Sequence, residues 1–386
     1  MEEICNTEQC TGCAACYSSC SHGAISMVVA KDGFLRPVID KEKCVNCGLC
    51  IATCPVNKPA PKTEPIGTYM AWTGNESQRI ASSSGGVFPA IATAILQQGG
   101  VVFGAAYDEH MNVRHSCIES IDELPLLQSS KYVQSDIHEA YRKTNAFLSQ
   151  GRRVYFVGTP CQVAGLKNFL RKEYETLLTS DFVCHGCPSN DLFQKQIHAF
   201  EERYHSRVKN FSFRSKKRFG QGYDCELLLD DNRRRFLNAE LVPYFYGFWK
   251  NITLRDCCYQ CQYATTGRVS DITLGDFWTV KRYHKGTKTS KGISLIMANT
   301  QKGEEILSAI PELVLIPESL DVAIKSQGHL NHSVKMPTSH QTFMDSYSEL
   351  SWEELRKSYL TPSTSYQQKM RLRNIVKILT LYKLWK

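Results

Sequence analysis

The sequence predicts an α+β module at its N-terminal end, followed by a larger α/β core with a mixed sheet. Three observations carry that prediction. One cysteine pattern is written twice before residue 55, around two short apolar runs. Four prolines between residues 55 and 66 make a stiff, extended boundary. Beyond it, short β-type runs alternate with helical apolar patterns, as in an α/β layer.

The repeated pattern reads Cys10-Thr-Gly-Cys13-Ala-Ala-Cys16-Tyr-Ser-Ser-Cys20 and Cys44-Val-Asn-Cys47-Gly-Leu-Cys50-Ile-Ala-Thr-Cys54-Pro55. Three thiolates at steps of three sit on one tight loop and can wrap three irons of a cubane. The fourth has entered a short helix and points away, so in two-cluster ferredoxins it ligates the other cluster. The spacing therefore predicts a two-cluster ferredoxin-like fold over residues 1–60. One 4Fe–4S cluster falls on Cys10, Cys13, Cys16 and Cys54, the other on Cys44, Cys47, Cys50 and Cys20. Zinc and disulfides are the alternatives, but structural zinc takes four ligands, usually two C-x2-C pairs, and leaves the third cysteine of each triplet spare. Cys20 is followed by Ser21 where the usual pattern has proline; Pro55 keeps it. Between the copies, apolar runs flank Asp32-Gly33, a strong hairpin signal that folds the second loop back over the first.

The core, residues 61–330, opens with a strand over Thr68 to Thr73. Ser84-Gly85-Gly86-Val87-Phe88-Pro89 then starts a helix, with Pro89 in its first turn. Bare N–H groups there suit a phosphate or a flavin edge, and a plain capped turn is the alternative. A strand follows at Val101 to Tyr107, then the polar cluster Ser129 to Ser135. There Lys131 is either an anion holder or a surface charge. The strand Arg153 to Gly158 ends in Thr159-Pro160-Cys161, with a helix from Val163. The strand Leu177 to Val183 ends in Cys184-His185-Gly186-Cys187, with a helix from Leu192. Two β-loop-α units thus each carry a cysteine at the carboxyl end of a strand, where open parallel sheets place ligands; a buried structural cysteine is the alternative for each. A more antiparallel stretch covers Val208 to Leu237. Its basic residues Lys216 to Arg218 and Arg233 to Arg235 suit either a solvated hairpin face or a site for an anionic cofactor or an acidic redox partner. No aromatic interleaving of the base-stacking kind accompanies them, which argues against nucleic acid. Cys258-Tyr-Gln-Cys261, preceded by Cys257, repeats C-x2-C far from the first module; alone it suits half a zinc site or a redox dithiol, and with Cys161 and Cys184 in the same domain four thiols are available for one more cluster. His329, His332 and His340 show no metal spacing.

At 386 residues, 42% hydrophobic and 22% charged, the chain has the length for two or three domains with a large core. The start at Met1 shows no secretory pattern and no apolar run is long enough to span a bilayer, so a reducing, cytoplasmic setting is expected for the 17 cysteines. The formal charge of +8 counts every thiol as neutral. Each cubane on four thiolates carries about −2, so two or three clusters cancel most of it. The tail, residues 331–386, ends from Lys369 onward in a segment without acids. Its Leu372, Ile375, Val376 and Leu379 share a helical face, suited to docking on the protein itself or to peripheral contact with an anionic membrane.

Together these blocks resemble the family of coenzyme F420 hydrogenase/dehydrogenase beta subunits, including its bacterial members near polysaccharide-synthesis genes. The likeness covers roughly residues 5 to 330. It rests on Ser84 to Phe88, Ser130-Lys131-Tyr132, Gly158 to Leu166, Cys184-His185-Gly186, Cys258-Tyr-Gln-Cys261 and Asp271-Ile-Thr-Leu-Gly275-Asp276-Phe277-Trp278. The resemblance implies FAD in the α/β core beside a cluster. It makes Cys161, Cys184, Cys258 and Cys261 ligands of a third 4Fe–4S cluster, with Cys187 and Cys257 as neighbouring thiols able to substitute. It makes Ser84, Gly85, Gly86, Ser130, Lys131 and Tyr132 flavin contacts. The expected function is an iron–sulfur flavoprotein oxidoreductase exchanging hydride at a flavin, with a soluble carrier or a redox partner protein, and passing single electrons through clusters. The alternative is a non-enzymatic electron-transfer protein docking a partner enzyme, with a polysaccharide pathway as one setting. Nothing in the sequence shows a deazaflavin site.

Overall fold

The computed structural model describes residues 3–222 and 224–384. Met1, where the absence of a leader is read, and the last two residues of the basic tail lie outside them. The chain builds a ferredoxin-like module followed by an α/β core on a large mixed sheet.

In the module, β1 (Ile25–Val29) and β2 (Leu35–Ile39) pair antiparallel with Val29 opposite Leu35. The turn between them closes as the Gly33 N–H donates to the Ala30 carbonyl and the Ala30 N–H to the Phe34 carbonyl. Asp32 caps it by accepting from the Phe34 N–H at 3.0 Å. A lone two-stranded sheet is marginal in water, and this one is backed by the cysteine loops. Short helices Ala15–Ser19 and Leu49–Ala52 begin within the two triplets, just before Cys16 and Cys50.

The core sheet uses β3 (Gly67–Thr73), β4 (Val101–Tyr107), β5 (Val113–Ile118), β6 (Val154–Val157) and β7 (Leu177–Phe182). A separate three-stranded antiparallel sheet holds β8 (Val208–Ser212), β9 (Asp224–Leu229) and β10 (Arg234–Asn238). The main sheet is completed by β11 (Ile272–Asp276), β12 (Ser294–Ala298) and β13 (Leu313–Pro317), in the order β13-β3-β12-β11-β7-β6-β4-β5. Its centre, β4-β6-β7-β11, is parallel; β5 and the β12-β3-β13 side are antiparallel. The buried Asp271 ties β11 to β7, accepting from the Thr179 N–H at 2.8 Å and its hydroxyl at 2.7 Å. A buried Arg268–Asp181 pair at 3.0 Å reinforces the same seam.

Helices Ala140–Ser149 and Pro160–Leu170 cover one face of the sheet and Val87–Gln97 the other. An aromatic cluster around Phe193, Phe211, Phe213 and Phe245 fills the space under the three-stranded sheet. It also takes in Phe343, Tyr347, Leu355 and Leu360, so residues 331–360 pack on the core.

Two details differ from the sequence reading. The helix after β6 starts at Pro160, three residues before the expected Val163, because Thr159 and Gln162 form a capping box. Cys161 therefore lies in the first helical turn. The basic stretch is neutralised within the chain: Lys217 pairs with Glu226 at 2.7 Å and Arg218 with Asp224 at 2.6 Å. Arg234 also reaches Glu226, and Lys216 donates to the carbonyls of Arg79, Ser84 and Lys291. Among the described residues no helix is long and apolar enough to cross a membrane.

Candidate functional site

The cysteine triplets fold as they do because two backbone positions in each are left-handed. In the first copy these are Gly12 and Ala14, in the second Asn46 and Gly48. Alternation of this kind turns successive N–H groups inward, forming a nest for anions. The Gly12 N–H faces the Cys10 thiol, Ala15 that of Cys13, Tyr17 that of Cys16 and Ile51 that of Cys50. The left-handed φ of 58° at Ala14 costs about 1 kcal/mol of strain. The short helices then carry Cys20 and Cys54 away from their own triplets.

One cavity is lined by Cys10, Cys13, Cys16 and Cys54, with Met27 and Pro37 of the hairpin behind it. A second is lined by Cys44, Cys47, Cys50 and Cys20, with Ile25 and Ile39 behind it. Each triplet thus shares a cavity with the fourth cysteine of the other copy. The first cavity is the inner one, with all four thiols buried, whereas Cys47 of the second is exposed. Cys5, absent from the sequence reading because it stands outside the repeat, also lines the first cavity. Its thiol donates towards Cys10 and Cys54, and this holds both below the usual thiol range.

A third cavity, of about 600 Å³, opens at the carboxyl ends of β6 and β7. Six thiols line it. Cys161 comes from the helix after β6, Cys184 and Cys187 from the loop after β7, and Cys257, Cys258 and Cys261 from the short helix Asp256–Gln260 and its end. Cys161 lies 3.1 Å from the Thr159 hydroxyl. Burial pushes the Cys161 thiol up and that of Cys261 up to about 11. His185 stands at the rim, bonded to His329 at 2.7 Å and to Asn251 at 2.7 Å. His340 bonds to Asp256 at 2.8 Å.

The donor chemistry fits iron–sulfur clusters. All 17 cysteines are free thiols. Among the described residues no three His, Cys, Asp or Glu side chains converge on one point as a single metal ion requires. The thiols stand around cavities, as a cubane needs.

Among the contacts that join the module to the core, two lie against the first cavity. Arg255, fully buried, donates to the carbonyls of Cys10 at 2.6 Å and Leu35 at 3.0 Å, and to the Gln134 side chain at 3.0 Å. A Cβ on Gly12 would meet Arg255 at 2.8 Å and Gln134 at 2.7 Å, so this approach needs glycine. On the other side, a Cβ on Gly165 would sit 3.0 Å from the Cys13 sulfur. The helix bearing Cys161 therefore packs directly on the first cavity.

The structure also brings the two segments expected at a flavin together. The Ser130 N–H donates to Ser83 at 2.8 Å, and Ser84 lies beside them. Gly85 and Gly86 have another reason to be glycine. A Cβ on Gly85 would fall 2.4 Å from the Ala71 carbonyl, and one on Gly86 2.6 Å from Thr73. The Gly85 N–H is already bonded to Ser294 at 2.9 Å. Tyr132 packs among Phe213, Phe245 and Phe248. Lys131 donates to the Leu126 and Gln128 carbonyls, and desolvation pushes its ammonium down to about 7. Phe248 touches both Tyr132 and His185, with ring centres 5.1 and 4.9 Å apart, and so spans from this corner to the third cavity.

Residues 151–318 match the family described as the C terminus of the coenzyme F420 hydrogenase/dehydrogenase beta subunit, and residues 9–58 match a 4Fe–4S dicluster domain. Its core is thereby related to the coenzyme F420 hydrogenase/dehydrogenase beta subunits. Two curated proteins are similar to the chain. It is 22% identical over 171 residues to the F subunit of the F(420)H(2) dehydrogenase of Methanosarcina mazei, covering 42% of this chain and 49% of that protein. It is 24% identical over 324 residues to an uncharacterized protein of Methanocaldococcus jannaschii, MJ1349, covering 73% and 84%. The chain thus spans about half the length of the first of these relatives. Among solved structures, a chain of the F420-reducing [NiFe] hydrogenase complex from Methanosarcina barkeri aligns with a TM-score of 0.47 at 15% identity, over 73% of this chain and 92% of that one. The two matches make the chain an iron–sulfur, oxidoreductase-type protein related to these beta subunits.

Proposed function

We propose that this protein passes electrons between a hydride donor or acceptor at a flavin and one-electron carriers, through three 4Fe–4S clusters. The observation that carries the proposal is the seating of the first thiol cavity against the six-thiol cavity of the core, through Arg255 and the Cys13–Gly165 contact. A flavin takes up two electrons as hydride while clusters carry them singly, so the pair converts one kind of transfer into the other.

In this reading the module binds its clusters through the eight repeat cysteines, with the exposed Cys47 side as the port for a redox partner protein. The core binds the third through Cys161, Cys184, Cys258 and Cys261. The flavin, FAD by family likeness, lies against Ser84, Ser130 and Lys131. A desolvated lysine with two carbonyl acceptors and no carboxylate partner among the described residues suits an anionic cofactor. Gly85 and Gly86 serve it by holding the Ser83–Ser84 turn on β3. The acid-free tail from Lys369, with Leu372, Ile375, Val376 and Leu379 exposed, supports peripheral contact with an anionic membrane surface.

The test is anaerobic purification, incubation with FAD and a screen of soluble hydride donors. About one bound flavin per chain, reduced by a donor and lost in Lys131→Met with iron retained, is the expected result. Protein that binds no flavin would leave the electron-carrier alternative. Lys131→Met is a cleaner probe than Gly86→Val, because a valine at φ 84° would strain β3 whether or not a flavin binds.

A further inference from the structure

Tyr263 stands between the first cavity and the core cavity, and its hydroxyl has no partner among the described residues. The residue is 4% exposed and lines the core cavity two positions after Cys261. The thiols around it are Cys161 and Cys261 of the core and Cys13 and Cys54 of the module. Its hydroxyl is among the few buried polar atoms left without a hydrogen bond. Buried phenols normally find an acceptor, because an unpaired one forfeits its hydration. Tyr141 makes the contrast. It too is buried beside Cys13 and Cys161, but its hydroxyl donates to the Gln162 carbonyl at 2.6 Å.

We propose that Tyr263 donates its hydroxyl hydrogen bond to a sulfur of the 4Fe–4S cluster in the core cavity, and thereby raises that cluster's reduction potential on the side facing the first cluster. The inference rests on the reading of the core cavity as a cluster site. A cluster with its thiolates is anionic, and reduction makes it more so. A donor aimed at its sulfur therefore stabilises the reduced form more than the oxidised one. Tyr263 is a positioning and tuning residue here, and the sulfur it meets is the acceptor its buried hydroxyl otherwise lacks.

The experiment is a potentiometric titration of the full-length, anaerobically loaded protein followed by low-temperature EPR. The core signal is identified as the component missing from Cys161→Ser. Tyr263→Phe keeps the ring and removes the donor. It should retain wild-type iron and move the core midpoint to lower potential, while Tyr141→Phe leaves the midpoint in place. Replacing Tyr263 with 2,3-difluorotyrosine makes a stronger donor and should move the midpoint up, which provides a reading even if the phenylalanine variant does not load. An unmoved core midpoint with iron retained in Tyr263→Phe, or in the fluorinated protein, overturns the inference and leaves the cluster reading intact. A wild-type protein with no signal that depends on Cys161 overturns both.

Discussion

Replacing Arg255 with methionine should loosen the module from the core without emptying either. The side chain is 1% exposed and buried beside cysteines of both parts. Methionine fills much of its volume but leaves three oxygen acceptors without their donor, the Cys10 and Leu35 carbonyls and the Gln134 side-chain oxygen, and takes the guanidinium away from the Cys10 sulfur at 3.6 Å. Each buried acceptor left unpaired costs ~1–3 kcal/mol. The adjacent 600 Å³ cavity lets water reach part of the site, which favours the lower half of that range. A total of about 4 kcal/mol then falls on the interface, which corresponds to roughly a thousandfold faster exchange of amides exposed by undocking. Hydrogen exchange read by mass spectrometry on loaded protein measures this directly. Peptides covering residues 8–39 should lose protection, while those covering β6 and β7 keep it. Arg255→Lys, which retains the charge but not the planar fork, should fall between. Unchanged exchange over residues 8–39, or an equal loss across the whole chain, would refute the role given to Arg255.

The remaining predictions concern the core thiols, acid stability and the tail. In full-length protein, Cys161→Ser, Cys184→Ser and Cys258→Ser should each remove or alter the core EPR signal. Cys187→Ser and Cys257→Ser should spare it, because adjacent Cys257 and Cys258 cannot generally both face one cubane; a signal lost in Cys257→Ser but not Cys258→Ser shifts the ligand register by one. Burial lowers His115 from 6.5 to about 4, with Ser135 at 2.8 Å and the Val157 carbonyl at 2.9 Å holding the neutral ring. Between those values the unfolded chain binds more protons, so stability is complete above pH 6.5 and declines by about 3 kcal/mol as pH falls towards 4. Denaturation of wild type and His115→Gln at both ends of that window should show the steeper decline in wild type, the remainder coming from groups such as His185, which burial also holds down to about 4, and parallel curves would exclude it. Vesicles rich in anionic lipid should retain the protein at low salt, and Leu372→Ser with Leu379→Ser should release it. Retention unchanged by both substitutions would remove the tail from the membrane reading.

The parts of the fold that were legible in the sequence are those fixed by local chemistry. Cysteine spacing gave the crossed grouping of Cys20 with Cys44, Cys47 and Cys50 around one cavity, because the short helix that begins at the last cysteine of each triplet carries its fourth cysteine away. Asp32-Gly33 specified the hairpin through its turn. The start at Pro160 was also written locally, in the Thr159 and Gln162 capping box, but the apolar pattern from Val163 masked it. What joins the module to the core was not legible. Arg255 reads as one more charge beside Cys257, and its role exists only because the fold brings it to Cys10, 245 residues away in the chain. The same holds for Tyr263, whose meaning lies in a bond it does not make within the chain. Gly85 and Gly86 look like ligand-binding glycines, yet the approach of Gly85 to the β3 backbone, and the left-handed φ of Gly86 with the Thr73 side chain beside it, already demand them. The basic run looked like a docking face because its partners Asp224 and Glu226 lie on the facing strand.

The central claim is three clusters in one chain, two in the module and one in the core. Iron and acid-labile sulfide, assayed per chain on anaerobically purified and reconstituted full-length protein, test it most directly. The account predicts about twelve of each, falling to about eight in Cys161→Ser with Cys258→Ser. A wild-type value near eight that reconstitution does not raise would contradict it: the six core thiols would then line a cavity that holds no cluster.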